Sequence, residues 1–337
     1  MSIDRPQPAF DEDEANRRLT SNNRDATAML AKADNRMLDN DHRAADAYYK
    51  AALQLLDQQG QRHSADASRA MAAHEWINQR YVDHMILSIE NAGHPRGDWH
   101  PRFARSLAMM IGQVQRPPEY RQYPQNPMTF FYADMAHVEF APREIFKWAQ
   151  TLEEQTAAIR AEGENLLKDG SQLKAYVKKD ANRPQGDVHG MLENDDWSSF
   201  ELSVRGEFDP ERVKLCPATY AALRKVPLCD ITGRAPTPMF SRLSPGKRIP
   251  PHTGMINVRY ICHLPLIVPG EGALRVGNSQ SSWTEGELMV FDDSVEHEAW
   301  NSADNDRLVL IFDVWRPELE QAERDQLNAL FAAVDSY

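Results

Sequence analysis

The stretch Asn257-Val-Arg-Tyr-Ile-Cys-His-Leu264 alternates between two kinds of side chain, as a β-strand does. One predicted face carries Val258, Tyr260, Cys262 and Leu264, and the opposite face carries Asn257, Arg259, Ile261 and His263. In an open sheet the second face would meet water. In a closed barrel it would line a cavity, where an arginine and a histidine are well suited to bind anions.

Short β-like runs separated by Gly, Pro and Asn fill the sequence beyond about Asp187. The clearest are Met239–Leu243, Asn257–Val268, Ala273–Val276, Glu287–Phe291 and Leu308–Val314. Their spacing is typical of a sandwich or jelly roll, whereas βαβ units would place helices between the strands. An amphipathic helix is predicted over Pro317–Tyr337.

The preceding part of the chain is rich in alanine and predicts helices. We therefore expect an α+β protein with an all-α domain over residues 22–115, after a flexible N-terminus of residues 1–21. Residues 45–53 resemble the second helix of a tetratricopeptide repeat. Because only one such unit is present and a repeat cannot bury its face alone, an ordinary helical bundle is the favoured interpretation.

A proline-rich linker is predicted over residues 116–130, which contain four prolines. The second domain would follow over residues 131–337. Within it, a helix from Arg143 to about Lys168 is predicted after Pro142.

Composition excludes several classes of function. The 337 residues carry 38 basic and 50 acidic side chains, and the formal net charge of −12 repels nucleic acid and anionic membranes. No apolar run approaches the ~18 residues that a membrane span needs. Three cysteines without CxxC spacing argue against a disulfide framework and a cysteine-built zinc site. The sequence thus predicts a cytoplasmic protein with no nucleic-acid or membrane partner.

Histidines supply the candidate chemistry. His252 follows two prolines and His297 lies between two strong strands, so both could lie at strand ends and converge on one metal ion. For a lone histidine, a hydrogen-bonded structural role is the usual alternative. Arg307 opens the last strong strand and could equally be an exposed charge.

Familiar catalytic motifs are missing. Asn301 stands where a zinc protease of the HExxH type needs its second histidine, and the sequence contains no P-loop, GxSxG elbow or dinucleotide fingerprint. A redox-metal enzyme or a ligand-binding barrel remains.

An ordered series of segments resembles the aspartyl/asparaginyl β-hydroxylase family, which consists of Fe(II)- and 2-oxoglutarate-dependent oxygenases built on a double-stranded β-helix (jelly-roll, cupin-like). The segments include Phe240-Ser-Arg-Leu-Ser-Pro-Gly246, Pro251-His-Thr-Gly254, His263-Leu-Pro-Leu266, Phe291-Asp-Asp-Ser294, Glu296-His-Glu298 and Asp313-Val-Trp-Arg-Pro317. The match is dense over residues 241–319. The helical region resembles the tetratricopeptide-like domain that precedes the catalytic domain in some members.

The resemblance implies that His252 and His297 hold the iron. The wider oxygenase class adds a carboxylate two residues after the first histidine, but here that position is Gly254, and the β-hydroxylase family shares this absence. Asp292 or Asp293 could instead complete the metal site, although positioning the loop that bears His297 is the preferred role for both.

The resemblance also assigns the cosubstrate. Arg307 and Ser241 would bind the distal carboxylate of 2-oxoglutarate, and His263 would approach the other carboxylate. Arg259 matches an arginine that looks like a ligand of the substrate carboxylate. Where the animal enzymes have a further arginine, this chain has Ile261, so the number of cations in the site is not fixed by the resemblance.

The expected activity is β-hydroxylation of Asp or Asn in a peptide or protein, with O2 consumed and succinate and CO2 released. One alternative keeps the chemistry and changes the substrate to a small molecule or a lipid acyl chain. Another is a non-catalytic metal- or anion-binding barrel with a helical protein-docking domain. The sequence fixes neither the substrate nor the oligomeric state.

Overall fold

A computed structural model describes residues 6–118, 125–178 and 190–337. Its helices are α1 (Glu12–Ser21), α2 (Ala26–Leu38), α3 (His42–Gln58), α4 (Ala65–Asn91), α5 (Pro101–Met110), α6 (Ala149–Glu153), α7 (Thr156–Asp169), α8 (Pro210–Leu215), α9 (Pro217–Leu223) and α10 (Gln321–Asp335). Its strands are β1 (Lys174–Ala175), β2 (Trp197–Glu201), β3 (Ser203–Val204), β4 (Glu207–Phe208), β5 (Met239–Leu243), β6 (Arg248–His252), β7 (Arg259–Ile267), β8 (Gly272–Val276), β9 (Ser279–Ser281), β10 (Met289–Phe291), β11 (His297–Asn301) and β12 (Arg307–Trp315).

The chain forms two compact units. Among the described residues, the first contains those up to Gly93 together with Ala333–Tyr337, and the second contains 94–178 and 190–332. No helix in these described stretches is long and apolar enough to cross a membrane.

The first unit is helical, as predicted, and its helices start at clear capping residues. Asp11, Asp25, Asp41 and Ser64 each accept a hydrogen bond from a backbone N–H of the helix that follows, which satisfies donors that the first turn leaves unpaired. Because Asp11 caps a helix, residues 12–21 are ordered as α1, whereas the sequence predicted a flexible terminus over residues 1–21.

The boundary between the units differs from the predicted one. The structure divides after Gly93, whereas the sequence suggested a helical domain that extends to residue 115. The reason is that α5 belongs to the second unit: Arg102 forms an ion pair with Glu323 at 2.7 Å, and Ser106 Oγ accepts a hydrogen bond from the Ala133 N–H at 2.8 Å. Part of the predicted linker, residues 119–124, lies outside the described residues.

Two antiparallel sheets dominate the second unit, which confirms the α+β class and the predicted sandwich. The larger sheet has the order β1-β2-β5-β12-β7-β10, and the smaller has the order β6-β11-β8-β9. A buried cluster contains side chains from both sheets, including Leu243, Ile261, Val276, Phe291 and Ala299.

The predicted alternation of residues 257–264 is confirmed. Tyr260, Cys262 and Leu264 join the core cluster that includes α7 and α9, while Ile261 joins the cluster shared by the two sheets. His263 lies on the same face as Ile261 and contacts Phe291. The face with the arginine and the histidine is therefore buried inside the sandwich.

Other predicted elements agree in part. The strand over Met239–Leu243 has the predicted bounds, but the helix predicted from Arg143 to Lys168 is broken into a short 3-10 turn, α6 and α7. β6 was not predicted as a strand because it contains Pro250 and Pro251. It lies at the edge of the smaller sheet, where a residue without an N–H is tolerated.

Candidate functional site

Two histidines from neighbouring strands lie side by side in the smaller sheet. His252 ends β6 and His297 begins β11, and the two residues are register partners in this antiparallel pair. Their ring centroids are 4.1 Å apart. The sequence prediction that these two imidazoles converge is consistent with this geometry.

Both imidazoles are oriented by backbone carbonyls. His252 Nδ1 lies 2.8 Å from the Pro250 carbonyl oxygen, and His297 Nδ1 lies 3.0 Å from that of Val295. A carbonyl can only accept, so each Nδ1 carries the proton and each Nε2 keeps a lone pair. Burial, reinforced by the nearby His252, lowers the pKa of His297 to about 3 and keeps that ring neutral.

A third histidine, His263, lies on β7 in the larger sheet. Its ring and that of His297 both contact Phe291, at centroid distances of 4.9 and 5.4 Å. Burial, followed by the positive charge of Arg307, holds the pKa of His263 well below its ordinary value. Its Nδ1 is buried and has no hydrogen-bond partner, so this neutral ring offers a free polar atom.

Arg307 is a buried cation that lacks an anion. The residue is 1% exposed, and no acidic side chain among the described residues forms an ion pair with it. Burial lowers the pKa of its guanidinium to about 9, so it is still charged at neutral pH. An isolated buried charge is costly unless a counter-ion is supplied. Arg307 therefore fits the carboxylate of a ligand.

Neighbouring polar groups complete this part of the site. Arg307 and the Trp197 indole N–H both donate to Ser241 Oγ, at 3.3 and 3.2 Å. With its acceptor capacity engaged, the Ser241 hydroxyl is left to donate its own proton. Trp283 lies 4.9 Å from the Arg307 guanidinium as a cation–π partner. We call Arg307, Ser241 and Trp283 the Arg307 side.

Arg259, in contrast, is already paired. Its Nη1 donates to Asp313 Oδ2 at 2.5 Å, and its Nη2 lies 3.6 Å from Asp293 Oδ2. Burial opposes its charge, but the two carboxylates outweigh this effect and hold its pKa above the ordinary value. The resemblance implies that Arg259 binds a substrate carboxylate, and in the structure its guanidinium already has these two carboxylates beside it. We call Arg259, Asp293 and Asp313 the Arg259 side.

Asp293 occupies the space beside Gly254, the position where related oxygenases carry a carboxylate ligand. The Gly254 N–H donates to the Asp293 carbonyl, and a Cβ added to Gly254 would collide with the Asp293 carboxylate. Burial raises the pKa of Asp293 to about 7, although Arg259 opposes this rise. A side chain at position 254 would therefore displace the Asp293 carboxylate from its present position.

Asp292 stabilises the turn before His297 and is not available as a metal ligand. It is fully buried, forms an ion pair with Arg316 at 2.8 Å and accepts hydrogen bonds from Ser294 and Gln125. Both of its carboxylate oxygens are engaged in these contacts, which stabilise the turn that leads to His297. Across the described residues, no group of three or more His, Cys, Asp or Glu side chains is arranged to hold a metal ion.

Two aromatic residues near the histidines escaped sequence analysis. Tyr176 stacks on Trp197 with ring centroids 4.2 Å apart, and Trp197 lies 5.9 Å from His252. Tyr176 directly follows β1 and Trp197 begins β2, so both lie outside the segment in which the motifs are dense. Ile261 stands where the animal enzymes of the family that the sequence resembles have an arginine. Its side chain lies in the apolar cluster between the sheets, so this position offers no cation to the site.

Comparison with known proteins points to one family. Residues 153–317 match the family model described as aspartyl/asparaginyl beta-hydroxylase. The chain is 37% identical over 189 residues to the ornithine lipid ester-linked acyl 2-hydroxylase of Rhizobium tropici, a match that covers 55% of this chain and 63% of that protein. It is 36% identical over 183 residues to human aspartyl/asparaginyl beta-hydroxylase, covering 54% of this chain and 23% of that protein.

These matches therefore span less than two thirds of either relative's length. Among solved structures, KdgF from Halomonas sp. aligns with 40% of this chain and 86% of its own at 12% identity and a TM-score of 0.24, a likeness too low to support any argument.

Proposed function

Residues 153–317 match the model of the aspartyl/asparaginyl β-hydroxylase family, and on that premise we propose that the protein is an Fe(II)- and 2-oxoglutarate-dependent dioxygenase. It would hydroxylate the β-carbon of an Asp or Asn residue in a peptide or protein. One observation carries the proposal: two imidazoles oriented by backbone carbonyls lie with their ring centroids 4.1 Å apart, and the same sandwich buries the Arg307 guanidinium without an ion-pair partner among the described residues.

The residues present fit an iron ion. Neutral imidazole is a common ligand of Fe(II), and both rings keep an Nε2 lone pair because their Nδ1 atoms face backbone carbonyls. His252 and His297 would hold the ion. When bound, iron together with 2-oxoglutarate and O2 would supply the oxidation of a C–H bond to an alcohol, with succinate and CO2 as coproducts.

The Arg307 side fits the cosubstrate. The Arg307 guanidinium and the Ser241 hydroxyl would bind the distal carboxylate of 2-oxoglutarate as a charge-assisted pair plus a hydrogen bond. The unpartnered Nδ1 of His263 would meet the other carboxylate. Burial of these groups excludes water and strengthens each interaction.

The arrangement of the two sheets also supports the proposal. Two antiparallel sheets that share a buried cluster, with the histidine pair on the smaller sheet, are consistent with the double-stranded β-helix of this oxygenase class. The helical first unit would then contact or deliver the substrate.

A lipid acyl substrate is a second candidate, and one observation favours it. The Rhizobium tropici relative, at 37% identity, is named for hydroxylation of an acyl chain of a lipid. We favour a peptide or protein substrate, without nucleic acid or membrane as a partner, because of the net charge of −12. A cytoplasmic setting is proposed because all three cysteines are free and buried.

The test is turnover by the full chain. The protein is loaded with Fe(II) without oxygen, then given O2 and 2-oxoglutarate with an Asp/Asn peptide panel or with ornithine-lipid vesicles. Succinate and the hydroxylated product are measured by mass spectrometry, with His252→Ala as the inactive control. Succinate formation no greater than that of the control would refute an oxygenase and favour a binding barrel. Hydroxylated lipid without hydroxylated peptide would select the second candidate.

A further inference from the structure

We infer that the substrate side of this site selects a carboxamide over a carboxylate, and hence asparaginyl over aspartyl side chains. The inference rests on the proposed function and concerns the Arg259 side. This cluster borders the histidine pair, because Asp293 packs on Gly254, two residues after His252, and its backbone is hydrogen-bonded to His297.

Charge is the first argument. The cation Arg259 is already paired with Asp313 at 2.5 Å, and Asp293 lies 3.6 Å away. A substrate carboxylate placed here would lie beside the Asp313 carboxylate and would meet a guanidinium whose charge Asp313 already balances. Repulsion between like charges is strong in a buried site because little water screens it. A neutral amide avoids this repulsion.

Unpaired hydrogen-bonding atoms are the second argument. Two buried atoms of the cluster, Arg259 Nε and Asp293 Oδ1, have no hydrogen-bond partner. The first is a donor and the second an acceptor. A carboxamide carries a carbonyl that accepts and an NH2 that donates, so it can satisfy both atoms, whereas a carboxylate can only accept.

The Arg307 side does not compensate for this charge balance. Arg307 opens β12 and Asp313 lies six residues later on the same face, so the two charged groups lie near opposite ends of this strand. In the proposed function the Arg307 cation is engaged by 2-oxoglutarate. The substrate side chain is left with the Arg259 side.

Binding tests the inference without turnover. The full-length protein, loaded with Fe(II) and 2-oxoglutarate in the absence of oxygen, is titrated with N-acetyl-asparagine N-methylamide and with the corresponding aspartate compound by calorimetry. We expect the amide to bind at least ~10-fold more tightly, the size of one unfavourable charge contact. Equal binding, tighter binding of the aspartate compound, or no binding of either would overturn the inference.

Variants identify the cause. Asp313→Asn leaves Arg259 with one carboxylate partner and should reduce the preference several-fold. Asp293→Asn, which replaces the unpaired acceptor, serves if the first variant does not fold. Glu164→Gln is the matched control, since it removes one charge from an exposed ion pair with Arg160, and should leave the ratio unchanged. A preference that persists in both Asp variants would contradict the assigned origin.

Turnover separates this inference from the proposed function. Paired peptides that differ only in Asn or Asp are supplied with O2, and hydroxylated product and succinate are measured. Hydroxylation of the Asp peptide at least as fast as of the Asn peptide would refute the inference and leave the dioxygenase intact. Tighter binding of the amide without succinate from any substrate would refute the dioxygenase and leave the binding preference intact.

Discussion

Two arginines face the interior of the sandwich, and their surroundings differ. Arg259 is held by Asp313 and lies near Asp293. Arg307 is 1% exposed, and its polar and cation–π partners within the described part of the chain are the hydroxyl and carbonyl of Ser241 and the ring of Trp283. A protein that buries a charge without a counter-ion keeps an unfavourable state. The contrast indicates that Arg307 is completed by a ligand and Arg259 by the protein itself.

The largest effect should come from the histidine pair, which holds the iron in the proposed function. Replacing His252 or His297 by Ala would remove one of the two ring nitrogens proposed as iron ligands, so Fe(II) affinity should fall by more than the ~10–100-fold that loss of an outer-shell partner causes. Equilibrium dialysis against Fe(II) without oxygen measures this. Affinity within a few-fold of the unchanged protein would place the metal elsewhere.

The contrast between the two arginines predicts that their replacement changes the free energy of unfolding of the ligand-free protein differently. Arg259→Met leaves two carboxylates without their cation and should lower the free energy of unfolding by about 3–5 kcal/mol. Arg307→Met removes an uncompensated buried charge, so unfolding free energy should stay constant or rise. Urea denaturation of both variants decides. Equal losses would show that Arg307 also has a counter-ion in the protein.

A methyl group at Gly254 should disturb the Arg259 side alone. The added Cβ of Gly254→Ala would collide with the Asp293 carboxylate, and overpacking of this kind costs about 1–3 kcal/mol. The paired variant Gly254→Ala/Asp293→Gly should recover part of that loss. Thermal unfolding of the single and double variants is the measurement, and a single variant as stable as the original would contradict the packing.

On the Arg307 side, Ser241→Ala should weaken 2-oxoglutarate binding by about 10- to 150-fold, because one hydrogen bond to a charged group is worth about 1.5–3 kcal/mol. Calorimetric titration of the cosubstrate without oxygen reads this directly. An unchanged dissociation constant would remove Ser241 from the cosubstrate site.

The smallest effect is expected far from both sides. Glu164→Gln breaks an ion pair with Arg160 in which each side chain is more than one-third exposed, so the free energy of unfolding should change by less than about 0.5 kcal/mol. Urea denaturation provides the value, and a loss above 1 kcal/mol would show that the exposed pairs are not a suitable reference.

Much of this arrangement could be predicted from the chain. Alternation predicted the two faces of β7 but left open whether the face with Arg259 and His263 meets water or a cavity. The convergence of His252 and His297 was implied by the family resemblance, because a structural role is the usual alternative for a lone histidine. Pairing partners could not be predicted: Arg259 and Asp313 are 54 residues apart, and only the register of β7 with β12 brings them together.

Two other features, the strand β6 and the end of the helical unit, could not be predicted from the local sequence. The edge strand β6 contains Pro250 and Pro251, residues that indicate a turn when strand order is unknown. The end of the helical unit was misplaced because α5 has ordinary helical composition, and only its contacts through Arg102 and Ser106 assign it to the second unit.

In the proposed function, the Arg307 guanidinium, which has no ion-pair partner among the described residues, binds 2-oxoglutarate. Oxygen-free calorimetric titration of 2-oxoglutarate into Fe(II)-loaded protein tests it in the unchanged chain and in Arg307→Met. Loss of one partner of a buried charge pair costs about 2–5 kcal/mol, so binding should weaken by at least about 30-fold in the variant. Equal affinity in both proteins would contradict the account.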